Sequence, residues 1–295
     1  MYVVGMIQKF IDFLRFEKRA SPHTIKAYQT DLEQLEVFLL EQYESKQPER
    51  AESVMLRSWI VSLMEQGANP SSVNRKIASL RSFYSFLRRR KIIDKDPAQV
   101  LVTLKTRKHL PEFIEERAIE QLFDEEEFPD DFTGIRDLTA LELLYGTGIR
   151  LSELLGIRLS DINLYAHTLR VLGKRGKERI VPLTGPLLKI LPIYLEQRAP
   201  TEPTDRLIIT DSGKPAYPMF IQRMVRKHLA VVTTLDQKSP HILRHSYASH
   251  LLNRGADLNA IKELLGHTNL AATQIYTHNT IEKLKKSHQE AHPKA

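Results

Sequence analysis

Apolar residues recur every three or four positions through residues 1–97, with polar residues between them. This spacing is typical of amphipathic helices packed into one bundle. The clearest stripe comprises Val73, Ile77, Leu80, Tyr84 and Leu87. Four helices are predicted, over Met6–Glu17, from Ser21-Pro22, over Ser53–Gln66 and from Asn69-Pro70. The first third of the chain is therefore predicted to be a helical domain.

The pattern changes near Asp96-Pro97, which interrupts the helical spacing. Residues 98–111 have no clear periodicity and carry several bases, which predicts a basic linker. From residue 112 onward, helical stripes alternate with short β-rich runs. Two such runs, Thr168–Leu172 and Arg179–Leu183, flank a glycine- and lysine-rich segment and predict a β-hairpin with a basic loop. The predicted divisions are a domain over 1–97, the linker 98–111 and a second domain over 112–295.

The second domain contains several more predicted helices and one more short strand. The helices are expected over Glu115–Phe123, Thr133–Tyr145, from Leu151, over Leu187–Gln197, over Pro218–Val231 and from Pro240, and the strand over Arg206–Thr210. Ser239 is predicted to cap the helix that starts at Pro240, and Gly255 to end that helix. Asp257 is predicted to cap the next helix, which ends at Gly266.

Composition narrows the class of protein. The chain of 295 residues has a formal net charge of +7, which favours an anionic partner. It contains no cysteine, which excludes disulfides and thiolate metal sites and fits a reducing compartment. No segment approaches the roughly 20 consecutive apolar residues of a transmembrane helix. A soluble, cytoplasmic protein with no membrane partner is expected.

One stretch near the carboxyl end carries a dense set of polar side chains on short helices. His241 and Arg244 lie three positions apart, so they share a helix face. His267 follows a Leu-Leu-Gly helix end, and Tyr276 lies nine residues further on. His241 and His245 also have the spacing of two zinc ligands on one helix. The helix lacks the acidic residue of an H-E-x-x-H site and the chain has no cysteine, so zinc is disfavoured.

Two upstream turns also carry bases. Arg150 follows Gly146 and Gly148 and precedes a helix start, where backbone donors converge on an anion. Lys174 and Lys177 lie in the predicted hairpin loop. An ordinary surface role is the alternative for each of these residues taken alone.

These motifs together resemble those of the tyrosine recombinases, the integrase family, and are most like the Xer-type members that resolve circular chromosomes. The matching segments are T-G-I-R-L-S-E-L, G-K-R-G-K-E-R-I-V-P-L, H-I-L-R and L-L-G-H, followed by a tyrosine. The resemblance covers essentially the whole chain and implies a mainly α fold with a small β-sheet. A helical core-binding domain and a mixed α/β catalytic domain would form a clamp around DNA. The catalytic residues that it implies are Arg150, Lys174, His241, Arg244, His267 and Tyr276.

The implied reaction cuts and rejoins DNA through a 3′-phosphotyrosyl intermediate, with Tyr276 as the nucleophile. A phenol with a reference pKa of about 10 needs a base, and His241 is the family's candidate. Two arginines would bind the charge of the transition state, His267 would add a donor and Lys174 would be the general acid. The resemblance implies no metal and no cofactor. Glu153 matches a carboxylate of the family motif and is interpreted as a support for Arg150 or Lys174; a simple helix-start acid is the alternative.

Other bases are candidate DNA contacts. They are Arg75, Lys76, Arg81, Arg88, Arg89 and Lys177. For the bases of the first domain, the alternatives are a solvated helix face and cations placed favourably at a helix carboxyl end. Lys177 is also the competing assignment for the general acid.

The resemblance implies partners as well. They are double-stranded DNA with inverted half-sites, a homo- or hetero-tetramer with a second recombinase on two DNA sites, and, as a further candidate, a DNA translocase. The tail over residues 280–295 would dock on the adjacent protomer; a carboxyl-terminal helix packed on its own chain is the alternative. The expected role is resolution of chromosome or plasmid dimers. Alternatives are a mobile-element integrase of the same family, a type IB topoisomerase and a non-catalytic DNA-binding protein; the recombinase spacing and the intact set of arginines and tyrosine disfavour the last two.

Overall fold

The computed structural model of the chain describes residues 5–106, 112–125, 128–173 and 176–266. The chain divides into two compact units, Met1–Lys108 and His109–Ala295. Each unit has its own hydrophobic core. The mainly helical fold with a small sheet agrees with the fold class expected from the sequence.

The described part of the first unit contains four α-helices. They are α1 (Met6–Asp12), α2 (Pro22–Tyr43), α3 (Ser53–Glu65) and α4 (Pro70–Arg89), and a π-helical turn, Phe13–Glu17, extends α1. All four predicted helices are confirmed. The Ser21 hydroxyl accepts a hydrogen bond from the backbone N–H of Thr24, and the Asn69 side chain accepts one from Ser71. These caps satisfy helix-start donors, with proline at the first helical position in both α2 and α4.

The segment after α4 packs on the first unit more closely than its sequence indicated. A short 3₁₀ turn, Pro97–Val100, contacts α3 and α4, and Leu101 is 4% exposed in the core. The Asn74 amide donates to the carbonyl of Leu104 at 2.9 Å, and its oxygen accepts from the Leu104 N–H at 2.7 Å. Residues 97–104 are therefore part of this unit, because apolar anchors and backbone hydrogen bonds hold them there.

The second unit surrounds one central helix. Its helices are α5 (Glu116–Glu120), α6 (Phe132–Gly146), α7 (Leu151–Leu154), α8 (Gly185–Gln197), α9 (Pro218–Val232), α10 (Pro240–Asn253) and α11 (Leu258–Leu265). A π-helical turn, Gln121–Glu125, follows α5. Helix α6 packs against both α8 and α10, and nearly every one of its residues is buried. It therefore fixes the elements on either side of it.

A three-stranded antiparallel sheet lies beside these helices. Its strands are β1 (Ile162–Asn163), β2 (Thr168–Leu172) and β3 (Glu178–Pro182), in the order β1-β2-β3. The predicted hairpin is confirmed, with Val171 opposite Arg179 in the register. Strand β1 was not expected. The predicted strand Arg206–Thr210 is wrong: this segment makes only two isolated bridges, Arg158 to Arg206 and Ile209 to Pro215.

The two helices of the carboxyl-terminal motif begin differently. The Ser239 side chain makes no capping hydrogen bond to α10, so that prediction is wrong, although Pro240 does occupy the first helical position. Asp257 caps α11 as expected, accepting hydrogen bonds from the N–H groups of Asn259 and Ala260. Gly266 ends α11 in the left-handed conformation, with φ 64° and ψ 46°.

Three of the predicted catalytic residues, Lys174, His267 and Tyr276, lie outside the described residues, as does the tail over 280–295. Among the helices that the structure describes, none has the length and apolar character needed to cross a membrane.

Candidate active site

A glycine turn places Arg150 at the start of α7. Gly148, with φ 61°, lies so close to the ring of Tyr247 that an added Cβ would overlap that ring. The turn therefore requires glycine for both its backbone conformation and its space. Arg150 follows as the residue that precedes the first turn of α7, and its side chain is 34% exposed. The predicted helix start is confirmed.

Glu153 holds Arg150 from inside the protein. Its carboxylate accepts from the Arg150 backbone N–H at 2.8 Å and from Arg150 Nη1 at 2.9 Å. Arg179 on β3 donates to the same carboxylate with both terminal nitrogens, at 2.9 Å and 2.8 Å. Burial by itself would raise the pKa of the Glu153 carboxyl, but the hydrogen bonds and charge of Arg179, together with the bonds from Arg150, lower it below its usual range. Glu153 is therefore ionised at neutral pH, next to Arg150 as expected.

Arg244 lies on α10 and is 8% exposed. It donates to the carbonyl of Gly148 and, at 2.7 Å, to the carbonyl of Leu265. Burial, and then the charge of Arg150, lower the pKa of Arg244 to about 10. The guanidinium remains protonated at neutral pH.

The carboxyl end of α11 collects three guanidiniums. Arg150 Nη1 lies 3.3 Å and Arg244 Nη2 lies 2.7 Å from the carbonyl oxygen of Leu265. Arg179 Nε donates at 2.8 Å to the carbonyl of Leu264. Carbonyls at a helix end lack partners within the helix and carry partial negative charge. Arg150 and Arg244 thus converge on one oxygen acceptor, an arrangement that suits an anionic group.

The other predicted site residues stand around this centre or outside the described part of the chain. His241 is exposed in the first turn of α10, three residues before Arg244. Lys177 is exposed, and its backbone carbonyl accepts from the N–H of Gly173 at 2.7 Å, at the base of the hairpin loop. Tyr247 is 1% exposed, and burial raises the pKa of its phenol, so it is sealed from any DNA.

In the first unit, one predicted DNA contact needs correction. Lys76 is buried, and its ammonium donates to Asp31 and Gln34 and lies over the ring of Trp59. The prediction that Lys76 contacts DNA is therefore wrong, because its ammonium is buried and hydrogen-bonded inside the bundle. Arg75 also pairs with Asp31, but its side chain remains 45% exposed.

The remaining bases of α4 keep access to solvent. Arg81 donates to the carbonyl of Leu101, and Arg88 and Arg89 are exposed at the end of α4. With Arg75 and Lys177 they stay candidate DNA contacts.

Sequence reasoning gave no role to Arg179 and did not single out the basic face of α9. Arg179 occupies an inward position of β3, two residues before the buried Val181, and an arginine at an inward strand position was the signal for a buried partner. Helix α9 exposes Arg223, Arg226 and Lys227 and contains no acidic residue. Its amphipathic pattern, with three bases and no acid on the polar face, was the corresponding signal.

No group of three or more acidic or histidine side chains suited to a metal ion occurs within the described ranges. The groups gathered at the centre are cations instead, with one carboxylate among them. Two guanidiniums held by these contacts and directed at one acceptor are suited to bind a phosphate-like anion.

Comparison with known proteins identifies the class. Residues 112–283 match the model of the phage integrase family, and residues 7–91 match the phage integrase N-terminal SAM-like domain. The chain therefore belongs to the phage integrase family and is a tyrosine recombinase of the Xer type.

Its relatives carry Xer names. The tyrosine recombinase XerC of Chlorobaculum parvum is 39% identical, over 98% of this chain and 94% of its own length. XerC of Bacillus subtilis is 35% identical over 99% of this chain and 98% of its own length. XerD of Staphylococcus saprophyticus is 36% identical over 98% of this chain and 99% of its own length.

Solved structures share the fold. The Tn1549 transposon integrase in complex with circular intermediate DNA matches with a TM-score of 0.71 at 17% identity, over 95% of this chain and 98% of its own. The XerH recombinase bound to its difH substrate matches with a TM-score of 0.68 at 21% identity, over 95% and 83%.

Proposed function

We propose that this recombinase cuts and rejoins DNA at specific sites through a 3′-phosphotyrosyl intermediate formed on Tyr276. The phenolic oxygen attacks the phosphorus, the bond from phosphorus to the 5′-oxygen breaks, and the 5′-hydroxyl of another strand reverses the step. Because the bond energy stays in the covalent intermediate, no ATP is consumed.

The observation that carries the proposal is the convergence of Arg150 and Arg244 on the Leu265 carbonyl oxygen, at 3.3 Å and 2.7 Å. A carbonyl at a helix end has only partial negative charge, whereas the attacked phosphodiester carries one full negative charge shared by its two non-bridging oxygens, and more charge collects there in the transition state. Arg244 uses two of its five N–H groups in these contacts, so further donors remain for a second acceptor. Two fixed cations stabilise the charge that builds up in the transition state.

The proton transfers are assigned to residues near this centre in sequence. His241 accepts the phenolic proton of Tyr276, since His241 is exposed on the same helix as Arg244. Lys174, which lies between β2 and β3 in the sequence, protonates the leaving 5′-oxygen. His267, which follows Gly266 at the end of α11, adds a donor to the phosphate. In this assignment no step uses a metal ion, so cleavage persists in EDTA.

The partners follow from the family. The partners proposed are double-stranded DNA with inverted half-sites, bound by a homo- or hetero-tetramer on two sites in the cytoplasm, and a DNA translocase. Relatives named as the tyrosine recombinases XerC and XerD support the recombination of DNA in this proposal. The role proposed is resolution of chromosome or plasmid dimers. Exposed bases of α4 and the basic face of α9 supply phosphate contacts, and the tail over 280–295 docks on the adjacent protomer.

Covalent trapping tests the proposal. The full chain is incubated with a nicked candidate site, from which the cleaved strand diffuses away, and denaturing gels reveal a protein–DNA adduct. Tyr276→Phe is expected to bind the site normally and to form no adduct, because it lacks the attacking oxygen. Tyr165→Phe is the matched control, since Tyr165 is 98% exposed in the same unit. Its adduct yield is expected to equal that of the unmodified chain.

Two results would contradict the assignment. An adduct that survives in Tyr276→Phe would move the nucleophile to another residue. Adduct formation that needs a divalent ion would contradict the metal-free mechanism. Strand exchange between two sites, rather than relaxation of supercoils alone, separates a recombinase from a topoisomerase.

A further inference from the structure

We propose that Arg179 is a positioning residue for the cleavage step, and that it acts by controlling how Glu153 holds Arg150. The inference rests on the proposed function, because it concerns the same reaction. Arg179 itself is 5% exposed, and its described hydrogen bonds run to Glu153 and to the Leu264 carbonyl. It therefore orients other groups and does not contact DNA.

Arg179 lies where three segments with predicted catalytic residues meet. Its carboxylate partner Glu153 bonds Arg150, and β3 follows directly on the hairpin loop of Lys174. Arg179 Nε bonds the carbonyl of Leu264 at 2.8 Å, three residues ahead of His267. A shift of this one side chain would therefore disturb each of these segments.

The glycines of those segments lie against the ion pair. A Cβ at Gly266 would lie 3.2 Å from Arg179 Nη1, and a Cβ at Gly173 would lie 3.7 Å from both Arg179 Nη1 and Glu153 Oε1. The end of α11 and the base of the hairpin loop thus rest on the guanidinium and carboxylate. Both segments therefore pack against the same ion pair of Arg179 and Glu153.

The pattern of hydrogen bonds gives Arg179 a second effect. Each oxygen of Glu153 accepts one bond from the Arg179 fork and one from Arg150, through the Arg150 backbone on Oε2 and its guanidinium on Oε1. Because Arg179 occupies part of each oxygen, Arg150 reaches Glu153 through Nη1 alone among its guanidinium nitrogens, the same nitrogen that contacts the Leu265 carbonyl. Its Nε and Nη2 are then kept for the phosphate. Without Arg179, Glu153 would draw Arg150 into a two-point ion pair of its own.

Three substitutions test this role in the full chain. Arg179→Met keeps the length of the side chain but removes the fork, and Arg179→Lys keeps the charge but supplies only one point of attachment. Arg170→Met is the matched control, since Arg170 is an arginine of the neighbouring strand that pairs with Asp161 and is half-exposed. Three quantities are measured for each variant. They are the half-site affinity from gel shifts, the single-turnover rate of adduct formation on the nicked site, and the melting temperature.

Arg179→Met is expected to slow adduct formation about 10- to 100-fold, the effect found when a residue that orients a metal ligand is replaced, and to change half-site affinity less than about twofold. Arg179→Lys is expected to recover the melting temperature but not the rate. Arg170→Met is expected to match the unmodified chain. Equal losses of affinity and rate in Arg179→Met, or a normal rate in Arg179→Lys, would overturn the proposal.

Combination with Arg150→Ala separates positioning from general support of the fold. If Arg179 acts through Arg150, then adding Arg179→Met to Arg150→Ala slows the reaction little further. Losses that multiply would overturn the proposal. Since Arg179→Met removes one of the two arginine partners of the buried Glu153, Arg179→Met combined with Glu153→Gln is the companion variant, expected to regain melting temperature and stay slow. Absence of adduct in the unmodified chain would count against the proposed function, whereas fast adduct formation in the Arg179 variants counts against this inference alone.

Discussion

Arg244 brings a charge into a place where burial disfavours it. Its guanidinium is 8% exposed, and burial and the neighbouring Arg150 lower its pKa to about 10. The carbonyls of Gly148 and Leu265 offset part of this cost. Because the charge loses its water when the chain folds, it need not be stripped of water again when DNA arrives. The cleavage rate is therefore expected to be raised by Arg244 N–H donors that are already oriented before DNA binds.

His250, on the same helix, is a buried base with a different task. Its Nε2 lies 2.9 Å from the carbonyl oxygen of Ile114, which can only accept, so Nε2 carries the proton. Its Nδ1 then accepts from the hydroxyl of Tyr145, at 3.0 Å. Burial lowers the pKa of His250, and the bond to Ile114 offsets this only in part. The imidazole is thus held neutral between α6 and the start of the second unit.

This arrangement predicts a loss of stability in mild acid. Below the unfolded pKa of about 6.5 the unfolded chain binds a proton that folded His250 does not, so the free energy of unfolding falls as pH falls, by up to about 1.4 kcal/mol per pH unit. Urea unfolding at pH 7 and pH 5.5 measures the effect. His250→Gln should reduce the difference between the two pH values. His245→Gln, at a half-buried position of the same helix, is the control and should leave it unchanged.

At the scale of elements, local chemistry explains which predictions held. Helices α2 and α4 each show a capping side chain, a proline at the first position and an apolar stripe, and they start where the Ser21-Pro22 and Asn69-Pro70 pairs indicated. The position of Arg150 at a helix start was also predicted correctly, because the glycines just before it are a local signal for a turn. Lys76 was misassigned because its partner Asp31 is 45 residues away in sequence. Arg179 and Glu153 were likewise not paired, since 26 residues separate them.

Failures of the element predictions have physical causes too. Arg206–Thr210 has β-forming residues, but its neighbours offer only single bridges, so no ladder forms. Ser239 precedes a proline helix start, yet its hydroxyl makes no cap bond. Local sequence sets what an element can do, and the packing around it decides whether it does so.

Gly148 provides a test of an element junction. Gly148→Ala places a methyl group into the ring of Tyr247 at a backbone φ of 61°, so the free energy of unfolding should fall by about 2–4 kcal/mol. Gly255→Ala is the matched control, because Gly255 has φ 84° but open space around it. It should lose only about 1 kcal/mol, the cost of the backbone conformation. Equal losses in the two variants would show that the contact with Tyr247 does not matter.

At the scale of the whole molecule, the net charge of +7 attracts DNA from a distance, but only exposed cations at the interface release counterions. Lys227→Gln, on the basic face of α9, should reduce the slope of log affinity against log salt by about 1. Lys189→Gln, an exposed lysine on α8, makes the same change in net charge and should leave the slope unaltered. If both variants lower the slope equally, overall charge and not α9 governs binding.

The carboxyl end of α11 has a consequence for how this protein could be improved. The guanidiniums of Arg150 and Arg244 that hold the Leu265 carbonyl are the groups proposed to grip the phosphate. Substrate and helix end therefore draw on the same donors. A laboratory selection for heat resistance alone would favour substitutions that strengthen the contact of α11 with these arginines. The selected variants would have higher melting temperatures and lower cleavage rates. Selection for speed would run the other way and loosen the end of α11.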